Sequence, residues 1–193
     1  GVTVDLSSGT ATDGFGDSDT LSNIENIKGT DEADQLTGSA ADNIILGEAG
    51  DDVIAGLDGA DTIDGGSGDD NILGGEGGDV LAGGEGVDTL DGGTGDDSIL
   101  GGEGDDSILG DSGDDYIVGG IGSDAIDGGS GIDEIDYSTD AAAGGDSGVT
   151  VDLSSGTATD GFGDSDTLSN IENIKGTDEA DQLTGSAADN IIL

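Results

Sequence analysis

The sequence predicts an all-β fold, a parallel β-roll in which two nine-residue repeats make one coil. Three observations carry that expectation. From Gly29 to Asp136 the chain divides without a gap into twelve nonamers. Each nonamer contributes one aliphatic residue at a fixed place, its eighth position. Glycine accounts for 42 of 193 residues and is invariant at the first position of all twelve nonamers.

The first element, residues 1–28, reads as the end of an irregular β segment. Its VTVDL stretch alternates apolar and polar residues as a half-buried strand does. The second, residues 29–136, is the nonamer array. One aliphatic every nine residues cannot make an amphipathic helix of period 3.6. The x-aliphatic-x end of each nonamer suits a three-residue strand whose middle side chain points inward. Glycines at the first, second and fourth positions suit the positive φ of a tight reversal. Two such strands and two turns make an 18-residue coil, and successive coils stack as parallel strands about 4.8 Å apart. The third element, residues 137–175, is a junction read as irregular solenoid turns. Within it GFGDSDTLS at 161–169 is a degenerate nonamer, with Asp166 and Leu168 in register. The fourth, residues 176–193, opens a second array.

A longer repeat encloses the short one. Residues 1–46 recur letter for letter as residues 148–193, an offset of 147. Either a parent chain is a tandem array of near-identical 147-residue units, or copies have been joined by design.

Composition excludes much. With 46 acids against Lys28 and Lys175 alone, the chain has no basic patch for nucleic acid or anionic membranes. No cysteine or histidine is present, which removes disulfides, an imidazole base and an ordinary zinc site. Four aromatic residues cannot line a catalytic cleft, so the chain is not expected to be an enzyme. No apolar run is long enough for a membrane helix.

Twelve inward aliphatics for 108 residues are too few to offset the entropy of ordering so glycine-rich a chain. The aspartates offer the missing energy. The sixth position is Asp in eleven nonamers, Asn43 being the exception. Stacking sets each above its counterpart 18 residues away. Alone these carboxylates repel; with a cation between them they become ligands. Calcium accepts six to eight oxygens from carboxylates and backbone carbonyls, whereas magnesium holds to a stricter octahedron. Calcium between adjacent coils is therefore the expectation.

The nonamers GGSGDDNIL, GGTGDDSIL and GGEGDDSIL fit the pattern GGxGxDx(aliphatic)x throughout. That pattern resembles the calcium-binding repeats of the repeats-in-toxin (RTX) family. The resemblance covers residues 29–136 and 176–193. It implies a right-handed parallel β-roll, folding driven by calcium, and type I secretion to the exterior or the bacterial cell surface. Carried over by position, the metal ligands are Asp34, Asp52, Asp61, Asp70, Asp79, Asp88, Asp97, Asp106, Asp115, Asp124, Asp133 and, in the second copy, Asp181. Nonamers n and n+2 sharing a site give nine good pairings and one, Asn43 with Asp61, weakened. Some nine or ten calcium ions per unit follow.

The fifth-position acids Asp42, Asp51, Asp69, Asp96, Asp105 and Asp114 read as solvent-facing charge, and the ninth-position acids Asp64, Asp91, Asp127 and Asp136 as outward strand positions. Outward apolar residues such as Ile44, Val53, Leu100 and Val118 leave lateral or end-to-end self-association as a partner mode. The seventh position holds no regular row of Thr or Asn, so ice binding is not indicated. The expected role is a calcium-stabilised structural segment of a large secreted or cell-surface protein: an adhesin stalk, filament or matrix fibre. The alternative is a secretion and folding module of an exported enzyme or toxin whose catalytic domain lies elsewhere.

Overall fold

A computed structural model describes residues 1–145 and 147–193. It is a β-solenoid of two sheets, one of thirteen strands and one of nine. In the array, consecutive nonamers alternate between the sheets, and strands 18 residues apart pair in parallel. Val80 faces Ser98, Leu81 faces Ile99, and Ala82 faces Leu100. The eighth-position aliphatics from Leu36 to Ile135 fill the space between the sheets and are almost fully buried.

The strands are longer than the three residues the pattern predicts. In the middle of the array they run six, as in Val80–Glu85 and Ser98–Glu103, and include the second and third positions of the next nonamer. Pairing skips the first-position glycine and resumes after it, with Gly84 against Gly102 and Glu85 against Glu103. The second- and fourth-position glycines make this possible, with positive φ such as +118° at Gly84 and +133° at Gly86. The first-position glycines do not have positive φ. Their side of the chain faces inward and is buried, so that glycine is required by crowding and not by dihedral angle. Glu48, Leu57 and Asp111 occupy second positions and take the same left-handed conformation, at φ 81°, 88° and 72°. Each carries the strain a Cβ meets there, about 1–2 kcal/mol.

Both sheets run on through the residues between the arrays. In the larger sheet, Ala125–Asp127 pairs in parallel with Ser165–Ser169. Two antiparallel strands follow, Thr157–Thr159 and Thr150–Asp152, before Gln182–Thr184 resumes the parallel order. In the smaller sheet a single strand, Asn173–Lys175, separates Glu134–Asp136 from Ile191–Ile192. The larger sheet thus gains three strands where the smaller gains one. Ile171 and Ile174 of the NIENI stretch turn inward beside that strand. One helical turn, Asp140–Ala143, closed by Gly144 at φ 116°, was not signalled by the sequence pattern.

Candidate metal centre

Each sixth-position aspartate ends a turn and begins a strand, and that placement buries its carboxylate. From Asp34 to Asp133 none of these side chains is more than 3% exposed. The two oxygens have different surroundings. Oδ1 accepts the backbone N–H of the aspartate one coil back: Asp70 N–H donates to Asp88 Oδ1 at 2.8 Å, and Asp79 N–H to Asp97 Oδ1 at 2.7 Å. A charge-assisted bond of this kind staples coil to coil.

Oδ2 has no hydrogen-bond partner. This holds for Asp52, Asp61, Asp70, Asp79, Asp88, Asp97, Asp106, Asp115, Asp124 and Asp133, ten buried carboxylate oxygens in two rows. A buried polar atom without a partner is costly, and a buried charge more so. Repetition of the same cost ten times marks a site and not an accident of packing.

The first-position glycines form the walls. A Cβ on Gly65 would collide with Asp70 Oδ2 and come within 2.8 Å of the Gly83 carbonyl oxygen of the next coil. At Gly83 the same added atom would strike Asp88 Oδ2 and stand 2.6 Å from the Gly101 oxygen. A carboxylate oxygen and a carbonyl oxygen therefore converge on the space that glycine leaves free. Among the described residues no three acidic side chains gather closely enough to hold a metal by themselves. An ion here needs carbonyls to complete its shell. Hard oxygen donors, half of them backbone, in a repeated flexible turn fit calcium better than the stricter magnesium.

Electrostatics point the same way. Burial, reinforced by the charge of aspartates in neighbouring coils, lifts the carboxyls of Asp97 and Asp124 to about 7 and those of Asp70, Asp106 and Asp133 to about 6. Asp52, Asp61, Asp79, Asp88 and Asp115 are raised as well, chiefly by burial. Hydrogen bonds from the preceding coil offset this only in part.

Two of the aspartates named from the sequence differ. Asp34 Oδ2 accepts the N–H and hydroxyl of Thr30, at 2.6 and 3.1 Å, and its Oδ1 accepts Val2 N–H. Asp181 is held alike by Thr177 and Val149. These nonamers begin Gly-Thr, and the threonine lacks the positive φ of the second-position glycines, so its N–H turns toward the carboxylate. Asn43 is closed in the same manner, its Oδ1 taking Ser39 N–H at 2.7 Å. Asp61, its partner in the weakened pairing, keeps a free Oδ2.

Other residues outside the sixth positions of the array also serve the site, some in register with the repeat and some not. The fifth-position acids are exposed, as their spacing suggests, but they also link coils: Asp51 Oδ1 accepts Asp69 N–H at 3.1 Å and Asp96 Oδ1 accepts Asp114 N–H at 2.9 Å. At the end of the array Asp166 Oδ1 takes Asp124 N–H at 3.1 Å, as a further sixth-position aspartate would. Its Oδ2 is filled by the Tyr137 hydroxyl at 2.9 Å. In the other row Glu172 Oε2 takes Asp133 N–H at 3.0 Å. Asp136 is not an outward residue. It is buried, and its Oδ2 receives Lys175 Nζ at 2.6 Å and the Tyr116 hydroxyl.

Comparison with known families agrees with this geometry. The model of the RTX calcium-binding nonapeptide repeat (4 copies) matches residues 19–54, 28–63, 46–81, 64–99, 82–117, 100–135 and 160–193. A search of curated proteins gives no significant match. The matched segments cover most of the chain, the repeats of this family bind calcium, and the β-roll they form is a structural fold. The chain belongs to the RTX calcium-binding nonapeptide repeat family.

Proposed function

We propose that the chain is a calcium-stiffened structural segment of a large secreted or cell-surface protein, an adhesin stalk, filament or matrix fibre that folds on meeting extracellular calcium. The observation that carries this reading is the double row of buried, unpartnered Oδ2 atoms along a solenoid that repeats its own opening 46 residues. Serial identical units suit reach and repetition of mechanical load. Affinity in the range of extracellular modules, about 10⁻⁴–10⁻³ M per site, leaves the chain unfolded at cytosolic calcium and folded outside. Stacking of one coil on the next sharpens that transition.

Small-angle scattering tests the structural role. Thirteen strands at about 4.8 Å make the larger sheet roughly 60 Å long. In millimolar calcium the chain is expected to scatter as a rod of that order. In chelator its radius of gyration should approach the roughly 47 Å of an unfolded chain of this length. A compact or expanded form that ignores calcium would remove the basis of the reading.

The ligand assignment has its own test. Asp97→Asn is expected to bind one calcium fewer than the parent and to fold at higher calcium. Asp96→Asn should keep every ion and nearly all its stability, since the amide oxygen still accepts the Asp114 N–H. Equal stoichiometry in the two variants would reassign the ligands.

A further inference from the structure

The two copies of the 46-residue sequence are identical, yet they sit in different surroundings. In the second copy the residues matching 1–28 rest on the end of the array. Leu168 pairs with Ile126 and Ile174 with Ile135. Asp140 Oδ2 accepts Gly161 N–H at 2.9 Å, and Asp166 and Glu172 accept the backbone N–H groups of Asp124 and Asp133. Phe162 is half-buried on the outer face of the smaller sheet and lines, with Leu100, Val118 and Ala143, a groove of about 670 Å³.

In the first copy most of these positions are uncovered, although Ile27, the counterpart of Ile174, stays buried. Phe15, the counterpart of Phe162, is 95% exposed. Ile24 is 47% exposed where Ile171 is 5%. Asp19 and Asn26 are exposed where Asp166 and Asn173 are buried.

Charge marks the same face. The chain has two basic residues, and they occupy the same place in the two copies. Lys175 is bound to the buried Asp136. Lys28 reaches only Glu48, in a largely exposed pair of the kind worth about 0–1 kcal/mol. In a chain of 46 acids, a lone cation beside an uncovered apolar patch matches a buried aspartate such as Asp136.

We propose that residues 1–28 form a docking face for a second copy of the segment 101–147, carried ahead of Gly1 in the same polypeptide. That segment supplies the strand ends that Leu21 and Ile27 need, the carboxylate for Lys28 and the sheet face for Phe15. The contacts are those already made at residues 148–175. The contact is head-to-tail and does not close on itself, so units of this kind extend as a continuous stack.

The test uses the two phenylalanines, Phe15 and Phe162, which are the only ones in the chain. Segment 101–147 contains none, so adding it introduces no new signal. The 193-residue chain, labelled with 4-fluorophenylalanine in saturating calcium, is expected to give two ¹⁹F resonances, one solvent-like and one packed, assigned with Phe15→Leu. With a copy of 101–147 fused ahead of Gly1, the solvent-like resonance is expected to move onto the packed one. A Phe15 resonance left at its solvent-like position, while Phe162 stays packed, would overturn the proposal. So would movement in the unextended chain that grows with concentration, which assigns the face to a separate molecule. The Phe162 resonance reports independently that the solenoid is folded, so failure of calcium-driven folding is distinguishable.

Discussion

In excess EDTA at pH 8 the chain is expected to lose most of its β-sheet circular dichroism and to regain it when calcium is restored. Ten carboxylate oxygens are buried without a partner, and burial, joined at several of them by the charge of aspartates in neighbouring coils, raises their pKa. The thin line of aliphatics between the sheets cannot meet that cost and the entropy of ordering as well. The pH dependence follows from the same residues. Their carboxyls titrate higher in the folded chain than the ordinary 3.8, up to about 7 at Asp97 and Asp124. The folded state then holds more protons than the unfolded state between those values. Stability of the ion-free chain therefore falls as pH rises from about 4 through 7, and is recovered on acidification. Sheet signal in EDTA should increase as pH is lowered from 8 to 5, and the calcium needed for half-folding should be lower at pH 5 than at pH 8, with fewer ions bound per folded chain, because protons and calcium relieve the same buried charge. A dichroism signal insensitive to both chelator and pH would show that carboxylate burial is not what calcium relieves.

The fold class was legible because a nine-residue period with one aliphatic admits few structures. The sixth-position aspartates were legible for the same reason: fixed register turns a common residue into a row. What the pattern does not carry is the division of labour within one carboxylate, where Oδ1 binds the coil behind and Oδ2 is left free. That depends on the φ of a residue four positions earlier, which is why Asp34 and Asp181, whose nonamers begin Gly-Thr, share the register of the others and differ from them in space. Glu172, Tyr137 and Asp136 were hidden for a different cause. They act across 29 to 39 residues of junction, where strand order changes from parallel to antiparallel and no period connects the partners. The first-position glycine was found by its invariance but explained wrongly by backbone freedom, since its φ is ordinary and its crowding is not.

That crowding gives Gly101→Val a large expected single-site effect. A Cβ at Gly101 would stand 2.5 Å from Asp106 Oδ2 and 3.1 Å from Ile108 Cδ1, and would collide with the Gly119 carbonyl oxygen. Two of these three neighbours are the oxygens that line the candidate site, and one is backbone fixed by the next coil. Relief by rotating a flexible side chain is therefore closed. Overpacking alone costs about 1–3 kcal/mol. Displacing the Asp106 carboxylate also removes the staple on Asp88 N–H, worth a further 1 kcal/mol or more. The expected loss in calcium is roughly 3 kcal/mol or more by denaturant titration, with one ion fewer bound. Gly163→Ala separates this from an ordinary glycine effect. Gly163 has φ +94° but nothing within 4 Å of an added Cβ, so it should lose only the left-handed strain of about 1–2 kcal/mol and keep its full calcium complement. If Gly101→Val proved no worse than Gly163→Ala, the invariant glycine would be a matter of dihedral angle after all, and the cradle formed by Asp106 Oδ2 and the Gly119 oxygen would have no claim as a metal centre.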